Sequence, residues 1–241
     1  MGNKVVNSTT VKLGIYEESN DSQLAGMLGQ VKEFEDGRKF VLCKAGAALV
    51  AGVRLQSPVI TSLDDALVVQ TEAAEGQKDI IVTVTAEHTG YDANALQDGY
   101  LVTCVGTDEI GTFYKIKENT AMVAAATATI TLYDNLTETL IVTTDKVTVC
   151  LNPYKDVIVD VLSAPIVGVP YINVQNDYYF WALFQGFGPA TATAATIAAG
   201  SAVERVTAGV VQTLATGATV TPIGVAYSAN AASHALIVKY Y

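Results

Sequence analysis

Fifteen residues, 176–190 (NDYYFWALFQGFGPA), constrain the fold more than any other part of the chain. They include the only tryptophan, Trp181, and three of the six phenylalanines. Aromatic residues favour β-strands, and closely spaced glycine and proline residues favour turns. The pattern therefore predicts one central strand over 178–185 that ends sharply at Gly186, Gly188 and Pro189.

Side chains of a strand point alternately to its two faces. One predicted face carries Tyr179, Trp181 and Leu183, and the other carries Tyr178, Phe180, Ala182 and Phe184. Almost nothing polar lies on either face, so both must be covered, by two parts of this chain or by one part and a neighbouring subunit. The predicted core or interface residues are Tyr178, Tyr179, Phe180, Trp181, Phe184 and Phe187.

Shorter strand-like runs fill most of the remaining chain. The runs 80–87 and 127–133 alternate apolar residues with mainly hydroxyl-bearing ones, which predicts one buried face and one wet face. Turn residues such as Asp36-Gly37 separate the runs, and no long amphipathic helix is evident. We therefore predict an all-β fold, a β-sandwich or barrel-like domain or domains built from many short antiparallel strands.

The predicted organisation is an extended N-terminal arm over 1–30 and a β-rich body over 31–241. The arm has little continuous apolar surface of its own, so we expect it to dock on a neighbour or to be a loose terminus. Charge density falls near 119–128, which suggests that the body divides there into two subdomains.

The charge of the chain is acidic and unevenly distributed. It has 24 acidic and 14 basic residues, a net charge of -10, which argues against binding to nucleic acid. Residues 1–120 carry 17 acids and 10 bases, whereas 161–241 carries only Asp177, Glu204, Arg205 and Lys239. A surface exposed to water on all sides usually has more charges. We therefore expect 161–241 to face protein, as the larger part of a subunit interface. The alternative is a β surface rich in Thr, Ser and Gly that stays soluble through its hydroxyl groups.

No residue pattern predicts catalysis, a cofactor or a metal site. The histidines, His88 and His234, lie outside zinc-protease motifs, and His88 reads as a solvated loop residue. Two acidic pairs, Asp64-Asp65 and Asp108-Glu109, are interpreted as solvated turn residues, with divalent-cation binding as the alternative. No nucleophile-elbow motif nominates a catalytic serine.

The compartment is inferred from the cysteines and from hydropathy. Cys43, Cys104 and Cys150 are odd in number and widely spaced, so we interpret them as small buried hydrophobic residues. No signal-like segment opens the chain, and no apolar run is long enough for a membrane helix. We expect synthesis in a reducing cytoplasm and no membrane partner.

Several short motifs resemble those of the capsid decoration, or cement, proteins of tailed bacteriophages. They are Asn152-Pro153-Tyr154, Gly168-Val169-Pro170, the aromatic run Tyr178–Trp181 with Gly186 and Gly188-Pro189-Ala190, Ala199-Gly200-Ser201-Ala202 and Gly224-Val225-Ala226. The stretch 34–52, with Asp36-Gly37-Arg38-Lys39-Phe40 and Ala48-Leu49-Val50-Ala51-Gly52, is also similar to this group. The resemblance covers about residues 30–241. It implies a β-rich protein, often a homotrimer, that binds the outside of an icosahedral shell and has no catalytic residues.

The expected function is therefore that of a structural virion protein on the capsid exterior, whose partners are the major capsid protein and further copies of itself. The alternative is a carbohydrate-binding or adhesive β module of a phage tail fibre or surface protein. Tyr91, Tyr240 and Tyr241 are candidates for stacking on sugars under that alternative.

Overall fold

A computed structural model of the protein describes residues 11–61, 64–88, 90–106, 110–193, 195–215, 222–229 and 235–241. The described part consists mainly of antiparallel strands, which confirms the all-β prediction. The strands are β1 (Val31–Glu33), β2 (Lys39–Lys44), β3 (Leu55–Gln56), β4 (Leu67–Val68), β5 (Asp79–Thr83), β6 (Tyr100–Val105), β7 (Phe113–Asn119), β8 (Thr127–Leu132), β9 (Lys146–Cys150), β10 (Ile158–Val159), β11 (Ile166–Pro170), β12 (Tyr179–Thr191), β13 (Ala202–Arg205), β14 (Val211–Thr213), β15 (Gly224–Ala226) and β16 (Ala235–Tyr240). Two short 3-10 segments, Ser22–Met27 and Thr207–Gly209, complete the described elements.

The chain forms two compact units, and the second is inserted into the first. Unit 1 comprises Met1–Val59 and Pro153–Tyr241, and unit 2 comprises Ile60–Asn152. The predicted division near 119–128 falls inside unit 2, because β7 and β8 on either side of it are hydrogen-bonded neighbours. The fall in charge density marks a connection between paired strands and is not a boundary.

Unit 1 is organised around β12. Its sheet has the order β10-β3-β11-β12-β16-β15-β13-β14, and β2, which pairs with β1, also pairs with β12. The first part of β12, from Tyr179 to Gln185, pairs with β2, and the part from Gly186 to Thr191 pairs with β16. One strand therefore joins the two sequence segments of unit 1 in a single sheet.

The two predicted faces of the aromatic strand are confirmed, and both are covered by unit 1 itself. Tyr179, Trp181 and Leu183 belong to one buried group, the tryptophan cluster, which also contains Phe40, Leu42, Val169, Val203, Leu236 and Val238. Phe180 and Ala182 belong to a second group, the Phe180 cluster, which also contains Val41, Cys43, Leu49, Leu55, Val157 and Val167. No neighbouring subunit is needed to bury this strand.

The predicted end of the strand at Gly186 is wrong, because β12 continues to Thr191. Gly186 has a φ of 101°, a conformation that favours glycine, and it is the first residue that pairs with β16. A Cβ atom there would lie 2.9 Å from Arg38 Cα. Glycine at this position permits the change of partner strand and the close approach of the 36–38 turn.

The prediction of an arm that docks elsewhere is wrong for 11–30, and 1–10 lies outside the described residues. Three residues of the segment are buried in the tryptophan cluster, namely Val11, Ile15 and Leu24. Trp181 Nε1 donates a hydrogen bond to Leu13 O at 2.9 Å, and Tyr179 N donates to Ser19 O at 2.7 Å. The apolar residues are irregularly spaced because this segment covers β12 without forming a long strand or helix.

Unit 2 has the conventional alternation that the sequence predicted. Its sheet has the order β4-β9-β6-β7-β8-β5. Along β5, Ile80 and Val82 are buried, whereas Ile81 and Thr83 are partly exposed. In β8 the residues Ala128, Ile130 and Leu132 are buried and the three threonines between them are not. One apolar cluster therefore stabilises unit 2 from one face of these strands.

The low charge of 161–241 has an internal explanation. Strands β11, β12, β13, β15 and β16 lie in this stretch and supply much of the apolar core of unit 1. The low charge therefore does not by itself support the prediction that 161–241 forms the larger part of a subunit interface, and that statement stays a prediction. Within the described ranges no helix has the length and apolar character that crossing a membrane requires.

Candidate binding surface

The six predicted core or interface residues separate into two groups. Tyr179, Phe180 and Trp181 are buried, and Tyr178 and Phe184 are half-buried. Phe187 is 41% exposed, on the part of β12 that pairs with β16. The first five are core residues of unit 1, and Phe187 alone is a surface residue.

Phe187 borders a groove of unit 1, which we call the aromatic groove. The groove has a volume of about 700 Å³. Its lining residues come from the 36–38 turn, from Tyr171 and Ser228, and from the paired strands β12 and β16; they are Asp36, Arg38, Tyr171, Phe187, Gly188, Pro189, Ser228, Leu236 and Ile237. A groove of this size can accept an extended peptide segment or several sugar rings.

The outer face of β16 carries one apolar and one charged residue beside the groove. Residues alternate along the strand, so Leu236 and Val238 point into the core and Ile237 and Lys239 point outward. Ile237 is 47% exposed and pairs with Pro189, and Lys239 pairs with Phe187. Ile237 therefore forms, with Pro189 and Phe187 on the paired strand, a small apolar patch at the edge of the groove.

Aromatic contacts fix the shape of the groove. The Phe187 ring packs edge-on against Tyr227, with centroids 5.3 Å apart, and Tyr227 is 69% exposed. The Tyr171 hydroxyl donates a hydrogen bond to Phe187 O at 2.7 Å. A Cβ atom at Gly188 would collide with Leu183 and lie 3.4 Å from the Tyr171 ring. Glycine at 188 therefore leaves room for the Leu183 side chain beneath the groove.

One end of the groove is polar. Arg38 Nε donates to Asp36 Oδ2 at 2.7 Å, and the guanidinium lies 5.2 Å from the centre of the Phe34 ring. Burial lowers the pKa of Arg38, but hydrogen bonds to Tyr171 and Asp36 outweigh it, so the pKa lies above its usual value. This end therefore offers a fixed cation and a carboxylate beside an aromatic wall.

Sequence reasoning missed most of this groove. The sequence predicts a turn at Asp36-Gly37, and Gly37 has a φ of 82°, but the contact of the adjacent Arg38 with Tyr171 depends on packing distant in sequence. Tyr171 lies in a segment with little strand pattern, whereas Tyr227 directly follows β15. The signal available from sequence is the run Leu236-Ile237-Val238, which places an apolar residue on each face of its strand.

The interpretation of His88 and Asp64 as solvated residues is wrong, since both are buried in unit 2. Gly90 N donates to His88 Nδ1 at 2.9 Å, so the ring proton resides on Nε2, 3.2 Å from Asp64 Oδ1. Both ring nitrogens are occupied, which leaves none free to act as a general base. Burial and the Asp64 carboxylate raise the pKa of Tyr91, whose ring lies 5.1 Å from the His88 ring.

The other candidate ionisable residues differ in their environments. Asp65 accepts a hydrogen bond from Thr148, whereas Asp108, Glu109 and His234 lie outside the described residues. Within the part of the chain that the structure describes, no three His, Cys, Asp or Glu side chains are grouped as metal ligands.

The three cysteines are free thiols. Cys43 is fully buried, as predicted, and burial raises the pKa of its thiol. Cys104 and Cys150 are only partly buried, and burial also raises the pKa of Cys150. A raised pKa disfavours the reactive thiolate at Cys43 and Cys150.

Two of the three tyrosines proposed for sugar stacking are poorly placed for it. Tyr240 is buried, and its hydroxyl donates to Pro189 O at 2.9 Å. Tyr91 is half-buried against His88. Tyr241 is 67% exposed but does not line the aromatic groove.

Comparisons with known proteins add no relative to this description. No protein-family model, no curated protein and no solved structure matches the chain.

Proposed function

We propose that this chain is a structural virion protein that binds the outer surface of an icosahedral phage capsid and stabilises or decorates it without catalysis. The observation that carries the proposal is the aromatic groove. Exposed Tyr and Phe side chains beside an arginine are the composition of binding hot spots in protein interfaces. The sequence resemblance to phage decoration proteins supplies the identity of the partner, the major capsid protein.

The groove is suited to a protein partner because its walls are held rigidly. Phe187 and Ile237 lie on adjacent hydrogen-bonded strands, and Tyr171 is held to β12 by its hydroxyl. Little conformational entropy would be lost when such a surface binds, which favours affinity. The capsid segment would place apolar side chains against Phe187 and Tyr227 and a polar group near Arg38.

The direct test is particle occupancy. Tailed-phage virions from the culture that expresses the gene would be purified and labelled with gold-conjugated antibody against the chain. We expect label over the capsid surface, and particles without label would contradict the proposal. The purified chain should also sediment as a homotrimer, with about three times the chain mass of 25.3 kDa.

A pair of variants localises the contact. Phe187→Asp should strongly reduce binding to particles that lack the native protein, because it places a charge on the apolar wall. Phe113→Asp is the control, since Phe113 is a similarly exposed phenylalanine in unit 2. Equal binding by both variants would place the capsid contact elsewhere.

The second candidate function is carbohydrate binding, and the polar end of the groove favours it. Asp36 and Arg38 beside Tyr171 provide the combination of carboxylate, cation and aromatic ring that sugar sites use. Binding of a glycan by the monomer, lost in Phe187→Asp and kept in Phe113→Asp, would support this function in place of capsid binding.

A further inference from the structure

The outward side of strands β12, β16 and β15 carries a lysine among apolar side chains. Lys239 on β16 lies opposite Phe187 on β12 and opposite Val225 on β15. Directly paired residues of a sheet point to the same face, so these three side chains form one row. Val238 and Ala226, the next residues along β16 and β15, are buried in the tryptophan cluster. Because side chains alternate along a strand, the row lies on the outer face of the sheet.

A second row of apolar side chains lies beside the first. Ile237 is opposite Pro189, and Tyr227 N donates a hydrogen bond to Ile237 O at 2.8 Å. Ile237 and Tyr227 are both exposed. We call the two rows together the Lys239 face; its residues are Phe187, Lys239, Val225, Pro189, Ile237 and Tyr227. The face overlaps the aromatic groove, because Phe187, Pro189 and Ile237 also line the groove.

The positive charge of Lys239 is not neutralised. The side chain is exposed, and its Nζ atom lies 6.0 Å from the centre of the Phe187 ring. Among the described residues, no carboxylate forms an ion pair with this ammonium group. Arg205, the other cation of 161–241, differs, since it pairs with the buried Asp160 at 2.6 Å. Lys239 is therefore free to pair with a carboxylate of another molecule.

The net charge of the face is opposite in sign to that of the chain. Arg38 and Asp36, which line the aromatic groove, neutralise each other through an ion pair of 2.7 Å. The groove and the Lys239 face together therefore carry one net positive charge, although the chain carries -10. At physiological ionic strength, charges more than about 8 Å apart are largely screened. A segment bound on this face therefore responds to Lys239 more strongly than to the rest of the chain.

The lysine argues against a two-fold contact with a second copy through this face. Such a contact brings the same patch of both subunits together. Lys239 of one copy would then approach Lys239 of the other copy among apolar side chains, and like charges brought together at an interface are unfavourable. A carboxylate in the same position would be attracted.

We propose that the Lys239 face binds an extended acidic segment of a partner protein. A carboxylate of the segment pairs with Lys239, and an apolar side chain two positions away packs against Ile237 and Phe187. Alternate residues of an extended chain are about 6.7 Å apart, so this spacing in the segment matches that of Ile237 and Lys239 along β16. The inference rests on the proposed function, because it specifies the chemistry of the capsid segment that the aromatic groove receives.

The test is the fluorescence anisotropy of three labelled peptides titrated with the whole chain. The acidic peptide is Gly-Leu-Ser-Glu-Ser-Leu-Gly, and Gln or Lys replaces the glutamate in the other two. An exposed ion pair changes affinity by up to about fivefold. We expect the glutamate peptide to bind about two- to fivefold more tightly than the glutamine peptide, and the lysine peptide to bind most weakly. Added salt should reduce these differences. No binding by any peptide, or equal binding by all three, would overturn the proposal.

Charge reversal assigns the preference to Lys239. Lys239→Glu should bind the lysine peptide more tightly than the glutamate peptide, and Lys239→Gln should bind the glutamate and glutamine peptides equally. Lys117→Glu is the matched control, because it changes the net charge of the chain by the same amount at an exposed lysine of unit 2. This control should retain the order of the parent protein. Loss of the order in the control, or its retention in Lys239→Glu, would overturn the proposal.

The peptide titration contains no virion, so its outcome is separate from that of particle labelling. Unlabelled particles with the expected peptide order would contradict capsid binding and support the acidic-segment preference. Labelled particles with no peptide preference would contradict the preference alone. Sedimentation of the parent chain and of Ile237→Asp tests another occupant. Self-association that is lost in this variant, without peptide binding, would assign the face to a second copy and overturn the proposal.

Discussion

In unit 2, β5 alternates buried and partly exposed residues, whereas in unit 1 β12 is buried at five successive residues, from Tyr179 to Leu183. A strand that alternates buried and exposed residues, such as β5, is stabilised by one apolar cluster, whose residues lie between 67 and 151. A strand such as β12 requires cover on both faces, and that cover comes from distant segments, including Val11 and Leu24 on one face and Val157 on the other. Unit 1 therefore depends on long-range contacts more strongly than unit 2 does.

This difference has a consequence for mutations. A side chain removed from β12 leaves a cavity between layers that cannot move independently. A side chain removed from an outer face of unit 2 leaves only a space that water fills.

The largest effect is expected for Trp181→Ala. The side chain is 1% exposed, donates to Leu13 O and lies 4.4 Å below the Lys32 ammonium. Truncation of a buried Trp costs about 3–5 kcal/mol. Phe113→Ala, at an exposed aromatic pair in unit 2, should cost no more than about 1.5 kcal/mol. Urea denaturation followed by circular dichroism measures both, and equal losses would contradict the comparison.

A smaller loss is expected for Leu24→Ala, in the segment first interpreted as an arm. Leu24 is buried in the tryptophan cluster, so its truncation should cost about 2–4 kcal/mol. Gln23→Ala, at the exposed neighbouring position, should change stability by less than about 0.5 kcal/mol. If both variants have the same free energy of unfolding as the parent protein, the segment 11–28 does not cover β12 in solution.

Sequence predicts the buried faces of single strands in both units, but not the contacts between distant segments. The faces of β12 and the alternation of β5 and β8 follow from a period of two within single strands, and these predictions are confirmed. The insertion of Ile60–Asn152 and the role of 11–28 depend on contacts between segments far apart in sequence. Local patterns carry no information about such contacts.

Glycine substitutions sharpen the comparison at the point where β12 changes partner. Gly186→Ala combines a positive φ with a contact of 2.9 Å to Arg38 Cα, so we expect a loss of about 3 kcal/mol. Gly37→Ala has a φ of 82° but open space around the new methyl group, and should cost only about 1 kcal/mol. Thermal denaturation of the two variants gives the difference, and a larger loss at Gly37 would contradict the account.

The smallest effect is a decline in stability at alkaline pH. Burial raises the pKa of Tyr171, Tyr179 and Tyr240 in unit 1. Unfolded tyrosine ionises near pH 10, so their contribution is complete below about pH 10 and is lost as the pH rises through the folded-state values. Burial lowers the pKa of Lys32, so the contribution of Lys32 to stability increases as the pH rises to about 10.5. This effect opposes that of the tyrosines.

We therefore expect the urea midpoint, measured by Trp181 fluorescence, to fall above about pH 10. Tyr240→Phe should reduce this pH dependence, because the variant has one fewer group to ionise on unfolding. A midpoint that rises over the same pH range would contradict the assignment of these tyrosines as buried.

The central claim is that this chain itself covers both faces of β12. Trp181 is the only tryptophan, so its emission reports this strand alone. The direct measurement is its emission wavelength during dilution to nanomolar concentration, with sedimentation velocity to identify the monomer. We predict that the short-wavelength emission of a buried indole persists in the monomer. A shift to the wavelength of exposed tryptophan when subunits separate would show that a neighbouring subunit provides the cover, and would contradict the account.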